Sequence, residues 1–230
     1  MKNPTINPDE MLKSMAAEAV KQHEQIRTTI RDLTLEALQM RELSLKQINS
    51  VVRKVTEGVN VGVGGGKIDV EKALSDALAG MDEALLKVVE ANKVALQKLT
   101  EGGASFEESS VKKGLKELEA FEEKFLAGVK QAAEEAGDRT KEQWKSILDN
   151  IPRGGTDTGE RVMQTLAAHA QQAQDALTSS REAGLKVAHT LAQNYATLVS
   201  GVLMGLSEAM QHGKPKTSRS GNRQRAGSGT

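Results

Sequence analysis

Residues 69–101 read DVEKALSDALAGMDEALLKVVEANKVALQKLTE. Apolar residues fall at Leu74, Leu78, Met81, Leu85, Val88, Ala95 and Leu99, and Asn92 fills the one remaining position of the series. The gaps alternate between four and three for more than three heptads. That is the seam of a helix that packs against another helix. Asp69 supplies a side-chain N-cap at one end, and Gly102-Gly103 stops the helix at the other. Asn92, the polar member of the seam, is the residue expected to set register. These 33 residues place the chain in the all-α class.

The same periodicity extends in both directions. Upstream, Asn7-Pro8-Asp9-Glu10 reads as a helix start, with Asn7 as N-cap and Pro8 in the first turn. Apolar residues then recur in threes and fours from Leu12 through Ile30 and Val51 to Val55. Unbroken to Thr56, this would be one helix of about 49 residues and about 73 Å. Gly58, Gly62 and Gly64-Gly65-Gly66 are expected to end it in a flexible hinge over 57–68.

Downstream, Ser105-Phe106-Glu107-Glu108 has the spacing of a capping box. A third stripe follows through Leu118, Phe121, Phe125, Val129 and Trp144, with a bend expected near Gly137-Asp138. Pro152-Arg153-Gly154-Gly155 lies in a linker over 151–157. The fourth segment runs to about Gln211 with a seam of Met163, Leu166, Ala170, Ala173 and Leu177, continuing through Leu191, Tyr195, Val199, Val202 and Leu206. Gly201 and Gly205 form a G-x-x-x-G step suited to close helix packing.

The expected organisation is four long amphipathic helices in an elongated bundle or two hairpins. Residues 1–8 are a disordered start, 9–100 hold the first two helices, and 105–212 hold the other two. Residues 213–230 are a disordered basic tail carrying Lys214, Lys216, Arg219, Arg223 and Arg225 without an acid. The formal net charge of zero hides this asymmetry, because the body keeps 26 basic against 31 acidic residues.

Composition narrows the chemistry. With no cysteine there is no disulfide, thiolate metal site or cysteine nucleophile. Four isolated histidines offer no i, i+4 metal pair, and neither a metal nor a cofactor is expected. No run of 18 apolar residues suggests a membrane span, and the opening residues have no apolar core of a secretory signal, so the expected compartment is the cytoplasm, with granule association possible within it. Gly62-Val63-Gly64-Gly65-Gly66-Lys67 resembles a phosphate loop, but Val61 and Ile68 stand where that motif needs glycine and a hydroxyl. Carboxylate pairs such as Glu107-Glu108 and Glu122-Glu123 alternate with lysines and read as solvated faces. With 3 Phe, 1 Trp and 1 Tyr there is little from which to build a dry catalytic pocket, and no enzyme is expected.

Several of these features occur together in one known family. The chain resembles the phasins, helical proteins that coat polyhydroxyalkanoate granules: it lacks cysteine, has few aromatics, is rich in Ala, Lys, Glu and Gln, and ends in a basic low-complexity segment. The likeness is greatest over Glu160–Gln193, with Ala167-Ala168-His169-Ala170-Gln171-Gln172-Ala173-Gln174, and over the 213–230 tail. It implies binding to a hydrophobic granule or lipid-like surface, control of granule size and homo-oligomerisation through a coiled coil; it assigns no residue. A helical scaffold with all seams satisfied by protein is the alternative. A second is weak association of the basic tail with nucleic acid or another anionic partner.

Overall fold

The computed structural model describes residues 7–22, 24–41, 44–65, 68–101, 109–151 and 155–179, together with Leu203, which is buried. All the regular structure there is α-helix. The elements are α1 (Pro8–Lys21), α2 (Ile26–Gln39), α3 (Leu45–Gly64), α4 (Val70–Glu101), α5 (Ser109–Glu119), α6 (Phe121–Glu134), α7 (Asp138–Asp149) and α8 (Asp157–Ser179).

The all-α class holds, but four long helices do not. The first expected helix is three. Between α1 and α2 the chain turns through Gln25, which adopts a left-handed φ of 57°. Between α2 and α3 it turns to Ser44, whose extended backbone and Oγ, accepting from the Gln47 amide at 3.3 Å, start a new helix. Ser44-x-x-Gln47 is a capping box inside the apparent stripe. A single rod of about 73 Å would have exposed its seam along its whole length, whereas two corners fold it back and bury it.

The second expected helix is α4. Asp69 caps it as expected, with Oδ1 accepting from the Lys72 amide at 3.0 Å. The third divides into α5, α6 and α7. The step at Ala120 keeps its backbone bonds to Lys116 and Lys124, while the corner at Gly137 is the expected bend. Glu134 and Lys141 bridge that corner as an exposed ion pair. The 105–108 capping box lies outside the described residues.

The glycines at 58 and 62 do not form a hinge. Both are buried within α3, and the turn to α4 is confined to the residues after Gly64. A Cβ on Gly58 would stand 2.3 Å from the Lys13 carbonyl oxygen, and one on Gly62 would stand 2.8 Å from that of Ala17. The two glycines, spaced i, i+4, let α1 lie directly on α3, in parallel. Their small size here serves packing instead of flexibility. Gly80 plays the same part between α4 and α2, 2.3 Å from the Arg27 carbonyl oxygen by the same construction. Arg27 and Arg31 fasten that contact through Glu83.

On its other side α3 carries α6. Asn49 and Asn60 lie three turns apart on one face of α3. Their Nδ2 groups donate to the backbone carbonyls of Lys124, at 3.0 Å, and Ala132, at 2.9 Å. Gly128, between those carbonyls, brings the two helices together. Asn60 also accepts from Trp144 Nε1 at 2.7 Å, which ties α7 to the same node, and Trp144 is wholly buried. One continuous apolar core joins all eight helices.

α8 packs against α4, α5 and α6 in an unexpected orientation. Among its described side chains, over 157–171, the buried positions are Thr158, Gly159, Val162, Thr165 and His169. Of the expected seam, Met163 is 67% exposed, Ala170 is exposed and Leu166 is half-buried. The inward face is rotated by roughly a quarter turn from the apolar stripe. The physical reason lies at the start of the helix, where contacts from α4 and α6 fix its angle.

Candidate functional site

The structure brings the heptad seam together and covers it. Leu74, Met81, Leu85, Val88 and Leu99 are fully buried and Leu78 nearly so, all within one chain. Asn92 is also buried, and its Nδ2 donates to the Val88 carbonyl of its own helix at 2.8 Å. Residues Leu191, Tyr195, Val199, Gly201, Val202, Gly205 and Leu206, and the tail residues Lys214, Lys216, Arg219, Arg223 and Arg225, lie outside the described residues.

The apolar surface left open is elsewhere. A cleft of about 670 Å³ lies where α1, α2 and the start of α3 meet. Pro8, Met11 and Met15 from α1, Leu33 and Ala37 from α2, and Met40 at the following corner supply its apolar lining. Met11 is 50%, Met15 40% and Met40 75% exposed. The asparagine cap of α1 fixes the N-terminal end: Asn7 Oδ1 accepts from the Asp9 amide at 3.0 Å. Arg41 then closes the same end by pairing with Asp9, and Lys46, Gln47 and Glu36 complete a mixed polar rim.

Such a cleft can accept a soft apolar body. Methionine is unbranched and polarizable and adapts to irregular partners. The cleft contains no histidine, cysteine or buried carboxylate to act as a nucleophile or base. Among the described residues no group of three metal-ligating side chains converges, and no helix is long and apolar enough to cross a membrane. In sequence Met15 and Met40 looked like ordinary seam positions, and Met11 was passed over.

A second polar constellation surrounds the start of α8. Asp82 of α4 accepts from the Asp157 amide at 3.1 Å through Oδ2 and from the Thr158 amide at 3.3 Å through Oδ1. The Thr158 hydroxyl donates to the Asp82 backbone carbonyl at 2.9 Å. Glu122 of α6 accepts from the Thr156 amide at 2.7 Å. Burial pushes the Asp82 carboxyl above its usual range, although hydrogen bonds from Thr158 and Thr156 oppose that rise. Sequence reading assigned Glu122 to a solvated face and passed over Asp82, because the groups they serve lie 34 and about 75 residues away.

His169 lies further along the same interface. Burial lowers its pKa, and the positive charge of Lys93 lowers it further. The folded state therefore binds fewer protons than the unfolded chain just below the ordinary histidine range. This contribution to stability is complete above that range and is lost as the pH falls. Asp82 acts in the opposite direction, since its raised pKa favours the folded state as acid is added. We predict that the urea midpoint falls between about pH 7.5 and about pH 5.5, and that His169→Gln flattens this dependence. An unchanged slope in the variant would remove His169 as its source.

No curated protein and no solved structure matches the chain. Residues 1–212 match DUF6781, and the chain belongs to that family of unknown function.

Proposed function

We propose that this chain is a non-enzymatic helical protein that attaches to a hydrophobic surface through the methionine cleft between α1, α2 and α3. The surface that its phasin-like composition favours is a polyester storage granule. The observation that carries the reading is the clustering of Met11, Met15 and Met40, each at least 40% exposed, around one cleft. Full burial of a methionine contributes about 1.5–3 kcal/mol. Covering the exposed parts of three together therefore gives a few kcal/mol, enough for reversible adsorption.

Flotation with polyester nanoparticles tests this directly. The full chain and a 1–212 truncation should both float at high salt, and the triple variant Met11→Glu, Met15→Glu, Met40→Glu should bind at least about ten-fold more weakly, a loss of about 1.4 kcal/mol. Protein that stays helical in solution and never floats would overturn the reading. A helical scaffold is the second reading. It is favoured by the complete burial of the 74–99 seam within a single chain, and homo-oligomerisation through other helix faces would belong to it.

A further inference from the structure

Glu57 is the only acid on α3, and it stands just before Gly58, where α1 rests directly on α3. Three cations converge on its carboxylate. Lys54 Nζ donates to Oε2 at 2.8 Å, and Lys13 Nζ of α1 lies 3.6 Å from the same oxygen. Arg53 Nε lies 3.6 Å from Oε1. One negative charge therefore gathers three positive ones, a local surplus of two.

The acids on α1 and α6, the helices packed most closely on α3, do little to cancel that surplus. Asp9 pairs with Arg41, and Glu18 with Lys21. Glu122 serves Thr156, Glu123 pairs with Lys124, and Glu134 with Lys141. Glu10 is exposed and makes no ion pair among the described residues.

The cluster is organised in advance. The close approach at Gly58 fixes the Lys13 backbone beside that of Glu57, so little ordering is left for a ligand to impose. The Glu57 side chain is 11% exposed, and none of the three cations is more than 32% exposed. Partial burial strengthens the attraction between charges relative to water, for an incoming anion as for Glu57. Arg53 meets Glu57 through Nε, and its two Nη groups have no partner among the described residues. A guanidinium fork can bind two oxygens of one phosphate, and lysines add compact charge beside it.

We propose that Lys13, Arg53 and Lys54 form a binding site for a phosphate monoester group. Such a group carries a charge of about −1.5 to −2 at neutral pH, which matches the surplus. A carboxylate brings a single charge and leaves half of it unmet. The site is separate from the methionine cleft. Met11 and Met15 stand two positions to either side of Lys13, and helix positions two apart do not share a face.

Amide shifts in the isotope-labelled full chain test the site. Inorganic phosphate, titrated against sodium chloride at matched ionic strength, should move the amides of Lys13 and of Arg53 through Glu57 saturably. Phosphatidylcholine vesicles with and without phosphatidic acid form the second arm, because phosphatidic acid carries the same group on a lipid. Flotation only with the phosphatidic acid vesicles assigns the group to a lipid headgroup. Saturable phosphate shifts without flotation assign it to a soluble ligand. Arg53→Gln should weaken whichever binding is seen by at least about ten-fold. Glu57→Gln is the sharper variant. A cluster that only joins α1 to α3 gains no anion affinity when that carboxylate is neutralised. An anion site loses a competing charge, and phosphate should bind several-fold more tightly. The proposal is overturned by neither saturable shifts nor selective flotation, by shifts confined to residues 213–230, by binding unchanged in Arg53→Gln, or by binding no tighter in Glu57→Gln.

Discussion

Trp144→Ala should destabilise the bundle by about 3–5 kcal/mol from the lost side chain and its cavity, with about 1 kcal/mol more from the broken hydrogen bond. Trp144 is fully buried, and its Nε1 donates to Asn60 Oδ1 at 2.7 Å. Asn60 in turn donates to the Ala132 carbonyl at 2.9 Å, so one side chain on α7 supports the pairing of α3 with α6. The loss is a large share of the roughly 5–15 kcal/mol that holds a domain together. Urea unfolding followed by helical circular dichroism measures it. Trp144→Phe keeps most of the ring and loses the donor, and should cost clearly less. A cost below about 1 kcal/mol for the alanine variant would show that the node does not hold α7 in place.

Gly80→Ala should also destabilise, by about 1–3 kcal/mol, although alanine is the better helix former by about 1 kcal/mol. The new Cβ would meet the Arg27 carbonyl oxygen at 2.3 Å and the Arg31 amide nitrogen at 3.1 Å. Both are backbone atoms of α2, so relief requires the helices to separate. Separation weakens the links from Arg27 and Arg31 to Glu83. Gly58→Ala should behave alike against the Lys13 carbonyl oxygen, at 2.3 Å. Gly64→Ala is the control: nothing lies within 4 Å of its Cβ, so the propensity gain should survive and the variant should be neutral or slightly stabilised. The opposed signs make the comparison decisive. If Gly80→Ala and Gly64→Ala both raise the thermal midpoint, the close approach of α2 and α4 is wrong.

Periodicity identified the class and the most regular element. The alternation of four and three over Leu74–Leu99 marks α4, and its side chains are buried together. The caps at Asn7 and Asp69, and the corner at Gly137, were legible too, because each is a local event within a few residues. The corners after α1 and α2 were not, because the apolar spacing continues across them. Only Ser44-x-x-Gln47 signalled the second, and a capping box inside a regular stripe is easily overruled by that stripe. Glycine was read by its flexibility, but at Gly58, Gly62 and Gly80 what counts is the missing side chain, which shows only once the opposing helix is in place.

The methionine cleft was hidden for a related reason. Met15 and Met40 fit the helical stripe and Met11 was passed over, and their shared cleft shows only once α1, α2 and the start of α3 are placed together. The α8 anchor was hidden by distance. A carboxylate on one helix and an amide about 75 residues later leave no spacing rule to detect.

The parallel alignment of α1 on α3 has a consequence for how the protein is made. Two neighbouring parallel helices need an intervening segment that runs back between their ends, and α2 supplies it, so α1–α3 form a contiguous stretch of chain that ends at Gly64. This stretch emerges from the ribosome before α4–α8 and can close its glycine contacts while they are still being synthesised, at about 5–20 residues per second. The partners of Asn49, Asn60 and Asp82 are Lys124, Ala132, Asp157 and Thr158, all translated later. A nascent chain therefore carries half of each fastening exposed for seconds before the other half arrives. Asparagine and aspartate suit that interval, since water satisfies them until α6 and α8 take its place.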